Sequence, residues 1–301
     1  LDRLRDKTGI IEHVIRVRDG LTIFAAEYPA AAGHARDSAL LPVICLPGLS
    51  RNSRDFHGFA KAVSSDPVKP RRIVCIDYRG RGRSAWDPDP SRYQLAVEAG
   101  DVLEVCSALD IDAAIFVGTS RGGLILHLLP GMALDLSRAN ILNDIGPVIE
   151  IDGLLAIARY LNAEGRYPSW RAAATALKML HGPAFPALQP SDWDEMARSL
   201  FREADGVIRP DFDPALVAPL LELSAETRLA DLWPLFDRLR DRPLMVIRGE
   251  TSTLLSGETV AAMGRRHPAL HALTVAGQGH APLLHLPDVI GPIKAFLATL
   301  D

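Results

Sequence analysis

No long block of like charge, no long apolar run and very little sulfur occur in this sequence of 301 residues. Its 33 basic and 37 acidic side chains are interspersed and sum to a net charge of −4. No basic stripe is therefore available to follow a phosphate backbone, and a nucleic-acid partner is not expected. Apolar runs fall well short of the ~18 residues that a membrane-spanning helix needs, so no membrane partner is expected either. The opening stretch Leu1-Asp2-Arg3-Leu4-Arg5-Asp6 is charged where a secretory signal requires an apolar core, which makes a cytoplasmic protein the expectation. The three cysteines are an odd number without metal-ligand spacing. Cys45 and Cys75 lie in apolar runs and Cys106 in an amphipathic helical pattern, so all three read as buried, reduced thiols.

Aromatic residues make up only 6% of the chain, against 48% hydrophobic and 23% charged residues, the balance of a globular protein rather than a disordered or fibrous one. The length suits one large core interrupted by an insertion, and a homodimer is compatible with it. There is no internal repeat or low-complexity tract.

From residue 10 onward short β-branched runs alternate with longer helical periodicities, as strands and helices do around a mostly parallel sheet. The exception is the start. Segments 11 to 18 and 21 to 28 flank Asp19-Gly20, a two-residue turn signal, and predict an antiparallel hairpin at one edge. Runs at 43 to 46, 73 to 76 and 113 to 117 are apolar throughout, which predicts central strands covered on both faces. A sixth run covers 140 to 143, two more cover 244 to 247 and 270 to 275, and helical patterns fall at 55 to 64, 93 to 109, 121 to 134 and 287 to 300. The expected fold class is α/β, an eight-stranded, mostly parallel sheet flanked by helices.

Between Gly146-Pro147 and about residue 230 the strand pattern stops. Helical segments rich in Ala, Leu, Trp and Arg follow, separated by Pro168, Gly182-Pro183, Pro186 and Pro190. This reads as an all-helical lid at 147–230 inserted after the sixth strand, with 1–146 and 231–301 forming the core.

The feature richest in chemistry is Gly118-Thr119-Ser120-Arg121-Gly122-Gly123, which sits between a strand run and a helical pattern. A serine on so tight a strand-to-helix turn is raised at the carboxyl end of the sheet, and its neighbours must be glycines because a β-carbon would clash in the bend. A bare G-x-S-x-G arises by chance in on the order of one chain in ten of this length. The flanking strand and helix make Ser120 the candidate nucleophile. Leu46-Pro47-Gly48-Leu49-Ser50 follows a strand run directly, and the N–H of Leu49 could join that of Arg121 as a pair of donors for an oxyanion. Near the end, Gly277-Gln278-Gly279-His280 follows the run 270 to 275, and of the nine histidines only His280 has that setting.

With these landmarks, together with Ile76-Asp77-Tyr78-Arg79-Gly80-Arg81-Gly82-Arg83-Ser84, the chain resembles the α/β-hydrolase fold family from about residue 12 to 299. The resemblance implies that His280 is the general base for Ser120, that the segment beginning at Asp77 is structural, and that no cofactor or metal is required. It also implies an aspartate in the loop after the seventh strand, where this chain instead has Ser252-Thr253. Threonine cannot offset the charge of an imidazolium. Two carboxylates can stand in. Asp144, directly after the sixth strand, matches an alternative acid position of the family and is the favoured choice, although an Asp before Gly146-Pro147 also suits a simple turn cap. Glu250, near the usual loop, is the other.

The function expected on these grounds is hydrolysis of a small carboxylic ester or lactone through an acyl-enzyme on Ser120. Serine at the elbow argues against haloalkane dehalogenases and epoxide hydrolases, which carry aspartate there. Two alternatives remain: a carbon–carbon bond hydrolase of the ring-cleavage type, and a non-catalytic relative that binds a ligand. A carboxylate within reach of His280 is what separates the last of these from an enzyme. Tyr160, Tyr167, Trp170, Phe185, Trp193 and Phe201 give the lid its aromatic surface; singly, each reads as packing. Arg159, Arg166 and Arg171 read as solvated charge.

Overall fold

The computed structural model describes residues 9–31, 40–162 and 165–300, and the backbone of residues 2–5. The strands are β1 (Asp2–Arg5), β2 (Ile11–Arg16), β3 (Thr22–Tyr28), β4 (Val43–Leu46), β5 (Ile73–Asp77), β6 (Ala114–Thr119), β7 (Ser137–Asn143), β8 (Phe201–Ala204), β9 (Val207–Pro210), β10 (Leu244–Gly249) and β11 (Leu270–Val275). Nine form one sheet in the order β1-β2-β3-β5-β4-β6-β7-β10-β11. Pairing is antiparallel from β1 to β5 through β2 and β3, and parallel from β5 to β11. All eight expected strands are present. β1 adds a ninth outside the hairpin, from a segment whose Asp-Arg-Leu-Arg sequence carries no apolar alternation. The turn of the hairpin is longer than the two residues expected: Val17 donates to the Leu21 carbonyl, Gly20 takes φ 91°, and Asp19 accepts the Leu21 N–H.

Why the central strands are apolar throughout is visible in their packing. Along β4, Ile44 and Leu46 join one core and Val43 and Cys45 the other, and β5 divides Val74 and Ile76 from Ile73 and Cys75 in the same way. The first core is closed by α2 (Leu95–Ala108) and α3 (Arg121–Met132). The second is closed by α10 (Pro287–Ala298) and by α1 (His57–Ser64), which lies between β4 and β5. All three cysteines are buried and unbridged.

One core residue carries a pH-dependent cost. His127 on α3 is fully buried, and its Nδ1–H donates to the Gly123 carbonyl at 2.7 Å. Burial pushes its pKa down from 6.5 to about 4. The unfolded chain therefore binds the proton first as pH falls, so the stability held by the neutral ring is complete above about pH 6.5 and is lost toward about pH 4, on the order of 3 kcal/mol in all. His127→Leu is expected to shrink the drop in melting temperature between about pH 7.5 and about pH 5. An unchanged drop would contradict this.

The segment from 147 to 230 contains α4 (Ile151–Leu161), α5 (Trp170–His181), α6 (Pro190–Leu200) and α7 (Ala218–Leu221). It is not all helical, because β8 and β9 pair as an antiparallel hairpin. Asp205 and Gly206 both take positive φ, 54° and 73°, the geometry of a tight hairpin turn. The segment has a core of its own in which Phe185, Trp193 and Phe201 are buried beside Leu177, Met196 and Ile208, so packing accounts for those aromatics. Trp170 packs at its edge beneath the Arg198 guanidinium. After this segment come α8 (Trp233–Phe236) and, between β10 and β11, α9 (Gly257–Arg266).

Candidate active site

The parallel strands β6, β7, β10 and β11 end side by side, and the candidate residues emerge from these ends. Ser120 stands between β6 and α3 at φ 51°, ψ −113°, a conformation that costs a non-glycine residue roughly 1–3 kcal/mol. The glycines around it are obligatory. A Cβ on Gly122 would lie 2.1 Å from the Leu46 carbonyl oxygen, and one on Gly118 would lie 2.6 Å from the backbone of Gly122 and Gly123. The Ser120 N–H donates to the Asn143 carbonyl, tying the elbow to β7.

His280 reaches Ser120 from the loop after β11, with Nε2 2.9 Å from Oγ. Its other ring nitrogen, Nδ1, is 2.8 Å from Oδ2 of Asp144. Asp144 follows β7 at φ 55° and is fully buried, while 15% of the His280 side chain is exposed. The Asp144 carboxylate accepts two further hydrogen bonds, from the Gly249 N–H to Oδ1 at 2.8 Å and from the Ser252 hydroxyl to Oδ2. Every bond the carboxylate makes points toward His280, the end of β10 or the loop that follows it, so it does not cap its own turn. Glu250 is elsewhere: it is exposed, and its Oε2 accepts the Gly277 N–H at 2.8 Å, holding the base of the histidine loop. The place that holds Ser252-Thr253 supplies a hydroxyl that orients the carboxylate rather than a second acid.

Leu49 and Arg121 both line the cavity at Ser120. Among the described residues, neither backbone N–H has an acceptor in the protein. Their side-chain and carbonyl groups are fixed from behind. Glu98, fully buried on α2, receives Arg121 Nε at 2.6 Å and Arg81 Nη1 at 2.7 Å, and Arg81 Nε donates to the Leu49 carbonyl at 2.7 Å. Sequence reasoning missed Glu98 and Arg81, although a glutamate inside the apolar pattern of α2 was a readable signal. The neighbouring Arg79 binds Asp101, Asp87 and Asp19, and Asp77 accepts the N–H groups of Ser53 and Arg83, so this loop is held by buried charge as expected.

The cavity over Ser120 has a volume of about 340 Å³ and mostly apolar walls. Leu124, Ile145 and Leu254 line it from the sheet side, and Tyr160, Leu220 and Leu223 from the inserted segment. Its carboxylate, Asp55, is paired with Arg51 at 3.0 Å. Among the described residues there is no group of three or more His, Cys, Asp or Glu placed to hold a metal ion, and no helix long and apolar enough to cross a membrane.

The chain as a whole resembles known proteins. The family model described as "Alpha/beta hydrolase family" matches residues 43–290. A 3-hydroxybutyrate-oligomer hydrolase of Cupriavidus necator is 31% identical over 261 residues, covering 84% of this chain and 87% of that protein. A 2-(acetamidomethylene)succinate hydrolase of Mesorhizobium japonicum is 27% identical over 75% of this chain and 80% of its own. Among solved structures, an alpha/beta hydrolase from Novosphingobium aromaticivorans superposes with a TM-score of 0.86 at 33% identity, covering 96% of this chain and 98% of that one. By family match, relatives and fold together, the chain belongs to the alpha/beta hydrolase family.

Proposed function

We propose that this protein is a serine hydrolase that cleaves a small carboxylic ester or lactone through an acyl-enzyme. The observation that carries the reading is the unbroken chain from Ser120 Oγ through the His280 ring to the buried Asp144 carboxylate, at 2.9 and 2.8 Å. In the first half-reaction Ser120 Oγ bonds to the ester carbonyl carbon while His280 Nε2 takes its proton. The negative charge that develops on the carbonyl oxygen meets the free N–H groups of Leu49 and Arg121. Collapse of the tetrahedral species breaks the bond to the alcohol oxygen, which leaves with the proton held by His280. Water then attacks the acyl carbon, gives its proton to His280, and Ser120 is restored as the acid departs. Asp144 keeps Nδ1 protonated throughout and offsets the charge of the imidazolium.

In this reading the segment 147–230 is a lid over the core formed by 1–146 and 231–301, and its Tyr160, Leu220 and Leu223 complete an apolar chamber for the acyl part. An ester as the labile bond agrees with the relative named for hydrolysing oligomers of a hydroxy acid. The carboxylate beside His280 supports turnover over the ligand-binding alternative.

Release of p-nitrophenol from p-nitrophenyl butyrate tests this. Replacing Ser120 by alanine is expected to lower kcat by about 10³-fold or more. Equal turnover by the two proteins would overturn the proposal.

A further inference from the structure

A second cavity, of about 440 Å³, adjoins the first and shares with it the walls formed by Ile157, Tyr160, Leu254 and His280. The two differ in where they touch the reacting groups. The first contains Ser120, Leu49 and Arg121, the groups that handle the carbonyl; the second touches His280 but not Ser120. Since His280 delivers the proton to the departing oxygen, a substrate spanning both places its acyl half in the first chamber and its alcohol half in the second.

They differ also in charge. In the first chamber both guanidiniums face a carboxylate: Arg51 pairs with Asp55, and Arg121 with Glu98, which also holds Arg81. Among the described residues no carboxylate lines the second, and the one permanently charged residue on its wall is Arg159 of α4, which is exposed to solvent as the sequence suggested. Arg159 makes no ion pair among the described residues, and the positions three and four residues before it on α4 hold Ala156 and Leu155 rather than an acid. His181, on the same wall, is held neutral at neutral pH because burial and the nearby Arg51 charge push its pKa down to about 4. Thr253 also borders this space, in the position where an acid was expected from the sequence.

We propose that the alcohol half of the substrate carries a carboxylate that Arg159 receives, so that the preferred substrate is the ester of a hydroxycarboxylic acid. The inference rests on the acyl-transfer reading above and adds the class of leaving group to it. A neutral acyl chain suits the apolar chamber whose guanidiniums are already paired, and an anionic leaving group suits the one with an unpaired cation.

The test compares two esters with the same acyl group, 3-(butyryloxy)butanoate and its methyl ester, with the parent protein and with Arg159→Ala, Arg159→Lys and Arg159→Glu. The parent is expected to favour the free acid about tenfold in kcat/KM, chiefly through KM, with the preference shrinking as salt is added. The ratio should fall toward one in Arg159→Ala, persist in part in Arg159→Lys and invert in Arg159→Glu. A parent that treats both esters alike, or a preference that survives in Arg159→Ala and Arg159→Glu, overturns the assignment of Arg159 while leaving the ester hydrolase standing. Absence of Ser120-dependent turnover of either ester overturns both.

Discussion

Asp144→Asn is expected to lower kcat/KM by about 10⁴-fold while the protein stays folded. An asparagine fits the site, since its carbonyl oxygen can still accept the Gly249 N–H that now reaches Oδ1 at 2.8 Å. Its amide nitrogen then occupies the place of Oδ2, where Ser252 and His280 Nδ1 both donate. Two donors cannot face each other, so the imidazole adopts the tautomer with the proton on Nε2 and can no longer accept the proton of Ser120. Nothing remains to offset the imidazolium charge. Glu250→Gln serves as the comparison: among the described residues the Glu250 carboxylate accepts only the Gly277 N–H, and its loss should leave most of the activity. Ester hydrolysis and thermal melts of the two variants are the measurements. Loss of activity in Glu250→Gln and retention in Asp144→Asn would reassign the acid.

The second large effect is on folding. Gly122→Ala places a methyl group 2.1 Å from the carbonyl oxygen of Leu46 and 2.7 Å from its carbon. These are backbone atoms of β4, paired with Gly118 of β6 in the middle of the sheet, so neither side can give way cheaply. A loss of about 3 kcal/mol or more is expected, out of a total that for most domains is roughly 5–15 kcal/mol. Gly100 on α2 is the counterpart, because a Cβ there meets nothing within 4 Å. Gly100→Ala should stabilise by about 0.5–1 kcal/mol through helix propensity. Denaturant unfolding of both variants measures the contrast, and comparable stabilities would show that the elbow is not closely packed.

Much of this architecture could be read before any coordinates, and for identifiable reasons. Strands covered on both faces leave unbroken apolar runs such as Val43 to Leu46, and a serine raised on a tight turn requires glycines that stand out in sequence. Asp144 could be singled out as a candidate because it directly follows a strand at the sheet's carboxyl edge. What stayed hidden depended on distant partners. The role of Ser252 exists only because the loop after β10 folds back onto Asp144 from the neighbouring strand. The β8–β9 hairpin was masked by the helical patterns on either side, although Asp205-Gly206 carried its turn signal. β1 has no alternation to announce it, and the two chambers are lined jointly by the segment 147–230 and the rest of the chain.

The measurement that bears most directly on the central claim is intact-mass analysis after exposure to a fluorophosphonate. A serine activated by His280 and Asp144 should gain a single adduct, located on Ser120 by peptide mapping and absent from Ser120→Ala. An unlabelled parent protein, or labelling that persists without Ser120, would contradict the account.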